Sequence, residues 1–185
     1  MKPFFSLLLL LCFFSVTAQN LNETLKQQMV KDWERAKAYT QEYLDAMPAD
    51  KYSFRAVDSI RSFAEQMLHL AFSNVFLATI GTSAQNNGVQ NIFLTQSLEK
   101  SPTAQSKDSV VYYVNNSYDF FINAIKNMDF GKLGEVVVQT TPGGKRSETR
   151  LAWLLKGFEH QTHHRGQCTI YIRLLGIRPP GEKLF

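Results

Sequence analysis

Three of the chain's four histidines, His160, His163 and His164, lie within five residues of one another. On a helix, side chains four positions apart stand on one face, so His160 and His164 can present two imidazoles to one ion, while His163 points to a neighbouring face. The fourth histidine, His69, sits in a strongly apolar stretch that reads as a helix facing the interior of a bundle. A bundle core can assemble a metal site from side chains on facing helices. Three imidazoles would leave coordination positions open, as catalytic zinc sites do. An HxxxH spacing alone is equally at home on a solvated surface. Here the stripe that carries the pair, Trp153, Gly157, His160, His164, Cys168 and Tyr171, is mostly apolar or aromatic and turns the rings inward, where they need polar partners. Glu65, one turn before His69, is a candidate for orienting a ligand or moving a proton, and equally a partner for Arg61. Arg165 and Gln167 flank His164 and are expected to fix the helix against its neighbours or to hold a ligand imidazole. Cys168 cannot share one ion with both His160 and His164, because it lies two turns from the former; it reads as a small buried residue.

The elements that must position these groups follow from periodicity. Leu25, Met29, Trp33, Ala36, Tyr43 and Met47 recur at helical spacings between Asn20 and Met47, and Pro48 stops that helix. After a polar link, Asp58 is the expected N-cap of a second helix running to about Thr79 and ending at Gly81. It is apolar almost all round and should be the most buried. Thr82 to Thr103 reads as a long polar connection, of the length that often covers a site. Ser101 and Pro102 open a third helix that continues to Met128. Asp129 to Arg146 is turn-rich, with Glu135 to Gln139 able to pair as a hairpin strand. A fourth helix runs from Ser147 to Leu175 and is stopped by Gly176. The expected fold is an all-α four-helix bundle, with a short hairpin before the last helix.

With 185 residues and 44% apolar content, the chain can bury one core and is too short for two ordinary domains. Residues 1–18 carry one positive charge at Lys2, an apolar run from Phe4 to Val16 and small residues before Gln19, and read as a secretory leader cleaved after Ala18. The run is short for a bilayer span, so residues 19–185 are expected as a single exported domain, periplasmic or secreted, without stable membrane insertion. With Cys12 in the leader, the mature chain keeps one cysteine and no internal disulfide. The net charge of +4 falls to +3 without Lys2, and the basic residues are scattered, which excludes a nucleic-acid footprint.

The segment HQTHHRGQ, His160 to Gln167, followed by TIYIRLLG, Thr169 to Gly176, resembles the HxxxHRGQ segment of the DinB/YfiT-like helical-bundle superfamily. RSFAEQMLH, Arg61 to His69, is similar to that family's second-helix segment, and PADKY, Pro48 to Tyr52, to its first turn. The likeness covers most of the mature chain and is weakest over Thr82 to Thr103. It implies a four-helix bundle, often dimeric, with a three-histidine site for zinc, nickel or, next to these, manganese. Carried over by position, the ligands are His69, His160 and His164. The family includes transferases and isomerases that use bacillithiol- or mycothiol-type cofactors, and these thiols are cytosolic. For an exported chain the expectation is therefore a metal-dependent hydrolase of a small molecule using a metal-bound water. A thiol S-transferase and a non-catalytic metal- or ligand-binding bundle are the alternatives.

Overall fold

The computed structural model describes residues 3–85, 88–95, 97–141 and 143–185, with side chains from residue 21 onward except at 89, 94 and 95. The leader read over residues 1–18 lies outside the described side chains. The elements are α1 (Pro3–Ala46), α2 (Phe63–Thr82), the short α3 (Val89–Thr95), α4 (Lys107–Asn127), a hairpin of β1 (Val136–Thr141) and β2 (Gly144–Thr149), and α5 (Arg150–Leu174). Among the described residues no helix is long and apolar enough to cross a membrane.

The four long helices neighbour one another in the order α1, α4, α2, α5, so the consecutive pair α1 and α2 stand diagonally across the bundle. Their join bears this out. It turns back on itself through Phe63 N–H to Phe54 O and Ala64 N–H to Tyr52 O, and the buried Tyr52 hydroxyl donates to Leu44 O. This folded link delays the second helix. Its N-cap is Ser62, not Asp58: the Ser62 hydroxyl accepts from Glu65 N–H, and the Glu65 carboxylate accepts from Ser62 N–H. Such a capping box satisfies two backbone donors that the helix start would otherwise leave open. Fifteen of the twenty α2 residues are buried, as a helix apolar on nearly every face requires.

The connection expected over Thr82 to Thr103 has structure of its own. It contains α3 and two short 3-10 turns, Leu98–Lys100 and Pro102–Ala104, and the third long helix starts later than Ser101, capped by Ser106. The hairpin pairs Val136 with Thr149 through Thr141 with Gly144, so the last helix starts at Arg150, capped by Thr149, and not at Ser147.

Trp33 ties the core together, stacking on Phe121 with ring centroids 3.7 Å apart and meeting Tyr118 and Phe158 edge-on. Below it runs a buried polar network. Thr40 and Tyr118 share a hydrogen bond of 2.7 Å, Tyr118 donates to Gln161, and the Arg165 guanidinium donates to the same Gln161 oxygen at 2.7 Å. Arg165 also lies over the Tyr39 ring, 4.6 Å from its centroid. Fully satisfied networks of this kind set the register between helices. Gly157 lets α5 approach closely, because a Cβ there would stand 2.7 Å from Phe121 Cε2. Gly157→Ala is therefore expected to destabilise the fold by about 1–3 kcal/mol, an overpacking cost read as a lower urea midpoint at unchanged slope. A midpoint equal to that of the parent chain would contradict this packing.

Candidate metal centre

α2 and α5 pack antiparallel. Gly81 lies against Leu154 and Leu77 against Gly157 at one end, while the Tyr171 hydroxyl donates to Arg61 O at 2.7 Å at the other. Between these levels His69 on α2 meets His160 and His164 on α5. One ligand-competent nitrogen from each of the three lies within 4.8 Å of the others. The ring centroids of His69 stand 5.3 Å from His160 and 4.7 Å from His164. His163, as its helical position requires, is outside the cluster; it is exposed and lies 3.0 Å from the Gln167 carboxamide.

The outer nitrogens define which atoms face inward. His69 Nδ1 lies 3.1 Å from Glu99 Oε2, and His164 Nδ1 lies 2.9 Å from the Gln66 carboxamide. That leaves Nε2 of both rings free of these partners, and His164 Nε2 stands 3.1 Å from His160 Nε2. Glu99 is itself fixed. Leu98 is buried beside it, Gln105 donates to its carbonyl at 3.0 Å, and Arg61 Nε donates to its carboxylate at 2.8 Å. A carboxylate on the far nitrogen of a histidine sets the tautomer and aims the lone pair of the near one. The Gln66 amide can serve His164 in the same way, since turning it over presents its oxygen to Nδ1–H.

Burial and mutual repulsion keep the rings neutral. Burial, then the neighbouring histidines, pull His160 down to about 4 and His164 down to about 3. Burial also lowers His69, with Arg61 adding to the shift and Glu99 opposing it. Neutral imidazoles are the form that ligates. The sign for stability follows. Below about pH 6.5, the ordinary histidine value, the unfolded chain takes up protons that the folded chain refuses. The metal-free protein is thus expected to lose stability as pH falls from 6.5 toward 4, with this contribution flat above 7. Urea titrations at pH 7, 5.5 and 4.5 check it, and a flat profile would contradict the buried placement of the rings.

The residues fit a divalent ion. Two neutral imidazole nitrogens face each other 3.1 Å apart, and His160 Nδ1 is buried with no hydrogen-bond partner among the described residues. An all-imidazole donor set suits zinc, nickel and similar ions.

The other residues expected at the site fall as follows. The Glu65 carboxylate is 4% exposed and serves the capping box, Arg55 at 2.7 Å and Lys100 at 3.2 Å. Burial pushes its pKa up, but Arg55, the Ser62 amide and Lys100 outweigh that and hold it below the usual range. Arg165 anchors α5 on α1 through Thr40 and Tyr39, and is braced by Gln161 of its own helix. Gln167 reaches His163. Cys168 is fully buried, and burial pushes its thiol well up. Glu99 and Gln66 are the contacts that spacing alone did not single out. Glu99 carried one signal, being the sole acidic residue between Thr82 and Thr103.

A profile of the DinB family matches residues 18–184. Among solved structures, a DinB-like protein from Bacillus cereus superposes with a TM-score of 0.67 at 19% identity, covering 84% of this chain and 96% of the other. A DinB-like protein from Bacillus subtilis gives 0.61 at 19% identity, with coverage of 85% and 96%. A conserved protein from Enterococcus faecalis gives 0.63 at 16%, with coverage of 82% and 98%. At these identities the likeness is one of fold. No curated protein matches the chain significantly.

Proposed function

The chain belongs to the DinB family, and from that premise we propose that it holds one divalent metal ion through His69, His160 and His164 and acts as an exported metal-dependent hydrolase. The observation that carries the first part is the convergence of three imidazole nitrogens within 4.8 Å across two packed helices. Zinc or nickel is the expected ion, with manganese next. When bound, it would supply Lewis acidity toward water or a thiol, through the positions that three ligands leave open.

The chain's own side chains supply the rest. Glu99 accepts the Nδ1 proton of His69, and Gln66 restrains His164, so both rings are aimed before anything binds. Packing of α2 on α5 closes one side of the cluster. A cavity of about 730 Å³ lies beyond Gln66 and Glu99, which contact two of the rings and stand in its wall. That volume is within the range of small-molecule sites.

Hydrolysis is preferred over thiol transfer because residues 1–18 read as an export leader, and low-molecular-weight thiols belong to the cytosol. The test compares metal-loaded and metal-free protein on activated esters, with and without added thiol. The proposal expects turnover that needs the metal and not the thiol. Turnover only with thiol would replace it with the transferase reading, and none under either condition would favour a non-catalytic bundle.

A further inference from the structure

The cavity behind Gln66 and Glu99 mixes two kinds of lining: the cations Arg55, Arg61 and Lys100, and the apolar side chains of Ile60, Ile170 and Tyr171. Around the cavity the cations are more exposed than the carboxylates they pair with. The side chains of Arg55, Arg61 and Lys100 are 36%, 38% and 65% exposed, against 4% for Glu65 and 22% for Glu99. The buried carboxylates hold the guanidinium planes in place: Arg55 bonds Glu65 at 2.7 Å and Ile60 O at 2.5 Å, and Arg61 bonds Glu99 at 2.8 Å. Each guanidinium has five donors in a fixed fork, so those not spent on these partners remain for a ligand. Donors oriented in advance lose little freedom on binding, which favours a planar or tetrahedral oxyanion. Exposed Asp58 and the paired carboxylate of Glu99, which also lines the cavity, are the opposing charges. Ile170 is 55% exposed and, next to the largely buried Tyr171, gives the cavity an apolar surface that a ligand body would cover.

We propose that this chamber is the substrate subsite and takes a small organic anion, its carboxylate or phosphate head held by Arg61 and Lys100 and its apolar body lying on Ile170 and Tyr171. As an assignment of substrate class, this rests on the reading of the three histidines as a metal centre; binding of the oxyanion itself does not require the metal. Arg61 and Glu99 also touch His69, so these two side chains join the chamber to the imidazole cluster, whose rings do not themselves line it.

The test titrates the metal-free full-length mature chain with benzoate, phenyl phosphate and the neutral benzamide, followed by amide NMR shifts. Metal uptake is measured on the same preparation. The proposal expects shifts centred on residues 55–61, 99–100 and 167–171, and both anions binding more tightly than benzamide, less so as salt is raised. Whichever anion binds more tightly identifies the head group. Lys100→Gln, at an exposed position whose loss leaves Arg55 on Glu65, is expected to weaken phenyl phosphate about three- to fivefold, while Asp58→Asn strengthens it about twofold. Equal binding of benzamide and the anions, shifts elsewhere, or an unchanged affinity in Lys100→Gln would overturn the proposal. Anion binding by a chain that takes up no metal would keep the oxyanion site and overturn its role as a substrate subsite. Metal uptake without anion binding would overturn the chamber assignment alone.

Discussion

Replacing His160 and His164 together by alanine is expected to abolish stoichiometric metal binding while leaving the helical circular dichroism intact. Structural zinc sites with four protein ligands bind with about 10–16 kcal/mol, or about 3 kcal/mol per ligand, so two lost ligands cost about 6 kcal/mol and over ~10⁴-fold in affinity. Isothermal titration with zinc measures this. The fold should survive, because half-buried His160 and buried His164 stand outside the apolar cluster that Trp33, Phe121 and Leu154 belong to. Removing two rings that repel protonation also removes part of the acid sensitivity described above. A double variant that binds zinc as tightly as the parent chain would show that the ion, if any, sits elsewhere.

The second large effect concerns Glu99. Its carboxylate contacts His69 Nδ1 at 3.1 Å and is held by Arg61. Removing a partner of this type from a ligating histidine typically costs about 10- to 100-fold in metal affinity. Glu99→Ala is expected to show that loss, and Glu99→Gln, which still accepts Nδ1–H through its amide oxygen, to recover part of it. Cobalt substitution supplies an independent readout, since a reoriented imidazole changes the visible absorption of the bound ion. Equal affinities for parent, alanine and glutamine chains would reduce Glu99 to a surface partner of Arg61.

Much of this site was legible from residue types. The HxxxH spacing on an apolar stripe and a lone histidine in a helix apolar almost all round point to the three imidazoles, because helical periodicity states which side chains share a face. Glu99 was harder to see. It lies thirty residues from His69 in a polar connection, and its position depends on where Leu98 inserts and where Gln105 bonds, which no local pattern encodes. The helix starts illustrate a competition between local signals. Asp58 and Ser101 are both good capping residues, but Ser62 with Glu65 three positions later forms the reciprocal box, and Ser106 caps α4 after a short 3-10 turn. The diagonal placement of α1 and α2 depends on the folded link around Tyr52 and on Trp33 choosing Phe121, both long-range choices. The same competition explains Glu65. Read by spacing it stands one turn from His69, whereas its two oxygens serve the helix start, Arg55 and Lys100.

The most direct test is the metal content of the purified protein by elemental analysis, after exposure to zinc, nickel and manganese and removal of the unbound ions. Three neutral, converging imidazoles predict about one divalent ion per chain. Retention of no ion under any of these conditions, by a chain that is folded, would contradict the metal centre.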